Sequence, residues 1–273
     1  MTPAERVKAE ETCAKKEMSL LMYRLQNLPT ASRARLQATF ANQMVSETIS
    51  FETPRGPLRF TMLGKEAAVR AATALDRQPA TIAWIDGFKP GGVFWDIGAN
   101  VGTYALYAGL RGDTAVMAFE PAAVNYFLLS ANIEANELSA RVDALLLGLS
   151  DGKSLARLEV SQFQPARSFS FKGKAHKPQP GRQASLLLSM DQLLDEYGLR
   201  CPNYIKIDVP GLSEAILAGG ERLLRRHELL EIHIEASDDQ PSGERIVRVL
   251  ASAGFRVAGR ADHGSQDVTF TRP

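Results

Sequence analysis

Asp96, Gly98, Asn100 and Gly102 lie in VFWDIGANVGTYALYAG, residues 93–109, where an apolar run ends in an acid and a glycine-punctuated turn opens a helical pattern. Glycine at a strand end lets the chain bend sharply and lets a ligand approach the backbone. The helix that follows offers unpaired N–H groups at its start. A carboxylate at such a bend repels phosphate and attracts a cation. The dinucleotide spacing G-x-G-x-x-G is not met, because Gly98 is followed by Gly102 and then by Gly109. The turn therefore suits a ligand bearing an amino group. A tight strand-to-helix turn that binds nothing is the plainer alternative for this stretch taken alone.

A second acid strengthens the ligand reading. AVMAFEP ends in Glu120, 22 residues after Gly98, where an acid at the end of the second strand is placed to accept hydrogen bonds from ribose hydroxyls. An amino group and a ribose together describe S-adenosylmethionine. Ligands of open α/β sheets sit at the carboxyl ends of the strands, and Asp96, Glu120, Gly148 and Asp208 all fall at such ends. Two further strands offer groups for proton transfer. In YIKIDV, Lys206 and Asp208 share one face by the period of two, and in LLEIHIE so do Glu231, His233 and Glu235. Asp208 and His233 are the candidate bases, and Lys206 and Glu231 their candidate neighbours. The structural alternatives are a helix-capping Asp and an interior His.

These residues need a scaffold that brings strand ends together. Residues 4–26 read as a charged helix with an apolar stripe, broken by Pro29, and residues 31–46 as a second helix. TISFETPRGPLRFTML reads as a hairpin with PRGP at its turn. From about residue 66, strands alternate with helices: VFWDIG, a helix at 103–110, AVMAFE, a helix at 122–135, RVDALLLGL, then SLLLSMDQLLDEYG, YIKIDV, GLSEAILAGGERLLRRH, LLEIHIE and GERIVRVLASAGF. FRVAGR and DVTFTRP close as an antiparallel pair. This alternation predicts a parallel sheet with helices on both faces. The domains expected are residues 1–65, a helical and hairpin segment, and 66–273, one α/β domain. Residues 161–184 hold five Lys or Arg and no acid, which reads as a solvated loop or a basic lid.

Composition narrows the partners. The 273 residues carry a net charge of +1, with 45% hydrophobic and 23% charged, so nothing pulls the chain towards nucleic acid or membrane. No apolar run approaches the ~20 residues of a membrane span. Cys13 and Cys201 make no disulfide framework, and the N-terminal stretch has no apolar signal core; both favour a cytoplasmic location. His176, His227, His233 and His263 have no metal-ligand spacing, and G-x-S-x-G is missing, so no metal and no serine nucleophile are expected.

In order and spacing, VFWDIGANVGTYALYAG, AFEPAAVNYFLLSANIEAN, GLSDG, YIKIDVPG and LLEIH resemble the FkbM-type S-adenosylmethionine-dependent methyltransferases over about residues 66–240. The resemblance implies the class I methyltransferase fold, a Rossmann-like seven-stranded, mostly parallel sheet. It implies S-adenosyl-L-methionine as cofactor and methyl transfer to a sugar, glycan or secondary-metabolite hydroxyl. It assigns Asp96, Gly98, Ala99, Asn100 and Gly102 to the methionine and ribose side, and counts Thr103, Tyr104 and Asp208 among the cofactor-binding residues. It assigns Glu120 to the ribose hydroxyls, followed by Pro121 and Asn125, and Gly148 and Leu149 to the adenine. Three carboxylates of the family pattern are replaced, by Gln78, Pro210 and Ser213. These losses leave room for an altered acceptor, or for a non-catalytic methyltransferase-like scaffold that keeps the cofactor pocket. A homodimer through the N-terminal helices is a further expectation.

Overall fold

The computed structural model describes residues 3–73, 75–76, 78–160, 166, 170–171, 181–235, 241–260 and 267–273. Two compact units divide the chain between Glu47 and Thr48. The first holds α1 (Pro3–Gln26) and α2 (Thr30–Ser46), separated at Pro29, which stands at the N-cap of α2. Leu25 is buried, while Met18, Leu20, Met22, Tyr23, Leu36 and Phe40 are exposed.

The second unit begins with the hairpin β1 (Thr48–Thr53) and β2 (Gly56–Thr61), then α3 (Lys65–Ala72) and α4 (Pro79–Asp86). The alternation follows: β3 (Val93–Ile97), α5 (Thr103–Gly109), β4 (Ala115–Phe119), α6 (Ala123–Ala135) and β5 (Val142–Leu145). A smaller sheet comes from β6 (Gly148–Leu149), β7 (Ser154–Val160), β8 (Ser170–Phe171) and β9 (Gly181–Leu188). The chain continues through α7 (Met190–Asp195), β10 (Tyr204–Ile207), α8 (Ser213–Ala218), a 3-10 turn at Leu223–Arg225, β11 (Glu231–Glu235), α9 (Pro241–Ser252), β12 (Arg256–Arg260) and β13 (Asp267–Thr271).

The main sheet has seven strands in the order β12-β13-β11-β10-β3-β4-β5. β13 runs antiparallel to both its neighbours, and the pairs from β11 to β5 are parallel. Every residue of β3 and β10 is buried, as parallel strands covered on both faces must be. One face carries Trp95, Ile97, Phe119, Ile205, Ile207, Ile232 and Ile234. The other carries Phe94, Val116, Ala118 and Tyr204, packed with Ile85 of α4, Leu106 of α5 and Leu129 of α6. The chain leaves β3 in one direction towards β5 and returns to build β10 on its other side. That reversal opens the crevice at the carboxyl ends of β3 and β10, where ligands of such sheets lie.

The seven-stranded, mostly parallel sheet is the one expected. Three local readings differ. RVDALLLGL divides into β5 and β6, which belong to different sheets. The helix read over GLSEAILAGGERLLRRH stops at Ala218, because Gly219 and Gly220 are crossing points. A Cβ on Gly219 would meet the Ser150 carbonyl oxygen at 2.1 Å, and one on Gly220 would meet the Met190 side chain at 2.3 Å. The hairpin, grouped by sequence with the N-terminal helices, falls in the larger unit, where Leu58 and Phe60 are fully buried. Most of the basic stretch 161–184 lies outside the described residues.

The hairpin is held by two asparagines, Asn132 of α6 and Asn136 at its C-cap, that act as a mock strand. Asn136 Oδ1 accepts from the Arg59 amide at 2.8 Å, and its Nδ2 donates to the Arg59 carbonyl at 2.7 Å. One turn earlier, Asn132 Oδ1 accepts from the Thr61 amide at 2.7 Å, and its Nδ2 donates to the Val101 carbonyl at 2.9 Å. Asn132 thus ties β2 to the turn that follows β3. Asn132→Ala strands two buried backbone groups and is expected to lower unfolding stability by about 2–4 kcal/mol in a urea titration. An unchanged midpoint would show that the brace contributes nothing.

Candidate active site

The turn after β3 is tied to the end of β4 at three points. The amides of Gly98 and Ala99 both donate to the Phe119 carbonyl at 3.0 Å, and the Asn100 amide donates to Glu120 Oε2 at 2.9 Å. Asn100 adopts φ 55°, in the left-handed region where Asn is among the few tolerated side chains. Gly98 adopts φ 87°, and a Cβ there would lie 2.4 Å from the Asp208 carbonyl oxygen. The backbones of the two switch-point strands touch at this glycine, so no side chain fits there.

Asp96 is fully buried beneath the turn. Its Oδ2 accepts from the Ala105 amide at 3.1 Å, at the start of α5, and its Oδ1 has no partner among the described residues. Burial pushes its pKa up to about 6; the Lys206 charge and the Ala105 amide oppose the rise, and Asp208 adds to it. A buried carboxylate oxygen without a hydrogen-bond partner is costly, and Asp96 Oδ1 is one of the few such atoms among the described residues. Glu120 is similarly buried and rises to about 7, against the pull of the Ala122 and Asn100 amides and the Asn125 side chain. Its Oε1 accepts from the Ala122 amide at 2.8 Å. A carboxylate offers about four acceptor positions, and three donors occupy Glu120: the Ala122 and Asn100 amides and the Asn125 side chain.

Lys206 sits between the acids. Parallel register places it beside Asp96 on β3 and beside His233 on β11. Its ammonium lies 3.1 Å from Asp208 Oδ2 and 4.8 Å from the centre of the Tyr104 ring. Burial alone lowers its pKa, but Asp208 and Asp96 more than offset that, so the group stays charged. The Asp208 side chain remains 43% exposed, open to the crevice.

The other expected residues divide into those the fold brings to the crevice and those it does not. Thr103 and Tyr104 open α5, Pro121 follows Glu120, and Gly148 and Leu149 form β6, buried against Leu187 and Leu188. Asn125 hydrogen-bonds Glu120 and accepts from the Ala166 amide at 2.8 Å, so it holds the acid in place. His233 is interior. Its Nε2 lies 3.0 Å from Thr81 Oγ1, its Nδ1 lies 2.9 Å from Thr269 Oγ1, and its ring stacks on Trp84 at 4.9 Å. Burial pushes its pKa down to about 4, with Asp267 and Asp208 opposing and Lys206 adding to the fall. Glu231 is at the amino end of β11 and takes the Trp84 indole N–H at 2.6 Å. A period of two fixes the face but not the height, and two residues advance a strand by about 7 Å. Glu231 and His233 therefore anchor α4 on the sheet, while Asp208 reaches the crevice. Thr81, Thr269 and Asp267 escaped the sequence reading, because antiparallel register to β13 cannot be read from one strand.

The model of the Methyltransferase FkbM domain matches residues 96–257. The chain belongs to the FkbM methyltransferase family. Among its relatives, the 31-O-demethyl-FK506 methyltransferase FkbM of Streptomyces tacrolimicus is 28% identical over 206 residues, covering 64% of this chain and 76% of that one. The hexuronic acid methyltransferase AglP of Haloferax volcanii is 25% identical over 181 residues, covering 66% and 72%. A solved FkbM methyltransferase from Methylobacillus flagellatus superposes with a TM-score of 0.51 at 15% identity, over 67% of this chain. This chain spans 44% of that structure's length, and the likeness is one of fold. Within this FkbM-family enzyme, no cluster of three metal-ligating side chains occurs among the described residues, and no helix there is long and apolar enough to cross a membrane.

Gly98→Ala tests the contact at the switch point. A side chain at φ 87° carries about 1–2 kcal/mol of strain before the clash with Asp208 is added. The expected result is a lower melting temperature and lost cofactor binding together. Wild-type binding in the variant would show that the close approach has no bearing on the ligand.

Proposed function

We propose that this enzyme moves the methyl group of S-adenosyl-L-methionine to a hydroxyl oxygen of a sugar, glycan or secondary metabolite. The observation that carries the reading is the unpartnered oxygen of fully buried Asp96 under an open glycine turn, with Glu120 at the next strand end. This pair of hydrogen-bond acceptors fits a cationic amino acid joined to a ribose. Asp96 and the turn 98–102 would hold the methionine side, Glu120 the ribose hydroxyls, and Gly148 and Leu149 would border the adenine. The cofactor, when bound, supplies an electrophilic methyl on a sulfonium. Asp208 takes the acceptor proton, since it is the exposed carboxylate of the crevice. Lys206 donates to Asp208 Oδ2 at 3.1 Å and holds the carboxylate in place.

The two relatives named for the FK506 macrolide and for hexuronic acid support a hydroxyl acceptor on a glycan or polyketide. Free Cys13 and Cys201 support a cytoplasmic setting. Exposed Met18, Leu20, Met22 and Tyr23 support a homodimer formed through the N-terminal helices.

Calorimetric titration with S-adenosylmethionine and S-adenosylhomocysteine tests the cofactor. Micromolar binding, near −8 kcal/mol, is expected, lost in Asp96→Ala and in Glu120→Ala. No binding at millimolar ligand from a folded sample would sink the reading. With labelled cofactor and a panel of sugar and polyketide acceptors, Asp208→Asn is expected to cut turnover by about a hundredfold while homocysteine-product binding persists. Affinity for S-adenosylmethionine carries a pH signature. Asp96 and Glu120 ionise near 6 and 7 in the free protein, and a cationic ligand prefers them ionised. Affinity is therefore expected to rise from pH 5 to pH 8 and then level, with protons released on binding at pH 6. A flat profile would place the ligand away from both acids.

A further inference from the structure

Glu120 stands just before α6, where the chain lacks the usual means of holding a helix start. Ala122 is the N-cap of α6, with extended backbone and no side-chain cap. Ser, Thr, Asp or Asn normally serve at that position, and an alanine leaves the first amides of the helix to be paired from elsewhere. Two side chains supply the pairing. Glu120 Oε1 accepts from the Ala122 amide at 2.8 Å. Gln183 of β9, 60 residues beyond Ala123, accepts from the Ala123 amide through Oε1 at 2.9 Å. Its Nε2 donates to the Pro121 carbonyl at 2.6 Å.

The Pro121 carbonyl and the Ala122 amide belong to one peptide unit. That unit is trans, so the two groups point in opposite directions. Glu120 therefore pulls on one end of the peptide plane and Gln183 on the other. A donor on the carbonyl also polarises the unit and strengthens the bond made by its N–H. The proline ring fixes φ of Pro121, so the plane turns only about ψ of Pro121 and φ of Ala122. Both Gln183 bonds oppose that turn. Its amide must keep the oxygen on Ala123 and the nitrogen on Pro121, because the reverse order sets donor against donor and acceptor against acceptor.

β9 brings Gln183 to this place with little freedom. Gln183 shares a face with Ser185 and Leu187, which are buried, while Arg182, Ala184 and Leu186 are exposed on the other. Gln183 is paired with Leu158 of β7, and Leu187 with Gly148 of β6. The strand that borders the expected adenine side thus also reaches the Glu120 loop, about 13 Å further along. The Ala166 amide, from the same stretch between β6 and β9, bonds Asn125, which is itself a partner of Glu120.

We propose that Gln183 is a positioning residue of the cofactor site: by clamping the Pro121–Ala122 peptide it holds Glu120 on the ribose hydroxyls, and so sets the preference for a ribose over a deoxyribose cofactor. The proposal rests on the methyl-transfer reading above, and Gln183 acts in it through Glu120.

The test is calorimetric titration of the full chain at pH 8 with S-adenosylhomocysteine and with its 2′-deoxyribose analogue. The native chain is expected to bind the ribose ligand about thirtyfold tighter, since the deoxy ligand leaves a charged acceptor without a hydroxyl. Gln183→Met keeps the length of the side chain and removes both bonds. It is expected to bind S-adenosylhomocysteine about tenfold more weakly and the deoxy analogue within about twofold of native, which shrinks the preference to about threefold. Gln183→Asn draws the amide back by one methylene and is expected to do the same. An equal weakening of both ligands would make Gln183 a brace with no bearing on the ribose, and overturns the proposal. A native ribose preference in either variant, or none in the native chain, overturns it too. Failure of S-adenosylhomocysteine to bind the native chain overturns the methyl-transfer reading, and this one with it.

Discussion

A lysine ammonium buried between two carboxylates sets the geometry of the crevice. Lys206 cannot face apolar neighbours uncompensated, so Asp96 and Asp208 must lie on its own face of the sheet. That requirement demands β3 next to β10 in a register that pairs Asp96 with Lys206. It also pulls the two strand ends together until the Gly98 and Asp208 backbones touch. The first turn of α5 is drawn into the same arrangement, because the Ala105 amide bonds Asp96 and the Tyr104 ring lies against the ammonium. Replacing such a cluster with apolar side chains is often neutral or favourable for stability elsewhere. It stands at the carboxyl ends of the central strands, where ligands of such sheets lie.

The polar row across the sheet is graded in charge. Asp96, Lys206, His233 and Thr269 are consecutive neighbours on β3, β10, β11 and β13. Charge is concentrated at the centre, where the strands reverse direction of travel, and fades to a neutral ring and a hydroxyl at the side. α4 seals that neutral side, with Trp84 laid on His233 and its indole N–H given to Glu231. The aromatic cluster of Trp84, Phe88, Phe94 and Tyr204 continues the seal below the row. Water is kept from one flank of the crevice, which strengthens the electrostatics within it.

The parts legible in the sequence were those written in contiguous residues. The turn 96–104 and the acid at 120 announce themselves because glycine, acid and helix start follow one another along the chain. The alternation of elements yields the sheet for the same reason. Less was legible where a contact joins distant segments. Glu231 and His233 share a face with the right parity, yet only the register to β10 and the position of α4 show that one is at the amino end and the other is enclosed. Gln78 reads in sequence as a lost carboxylate, and Asp267 lies 189 residues away, so their pairing has no local signature. Gly219 and Gly220 read as ordinary helix residues until Ser150 and Met190 are seen to press on them.

The difference in sequence separation has a kinetic consequence. The turn and Glu120 arise from one stretch of about fifty residues, in which β3, β4 and β5 pair with their nearest neighbours along the chain. On the other side, residue 78 is joined to residue 267 and residue 81 to residue 233. Closing loops of that length costs entropy before any contact repays it, so high contact order belongs to one wall and low contact order to the other. The two sides thus differ in the entropy each costs to close, and the long-range side bears the larger share.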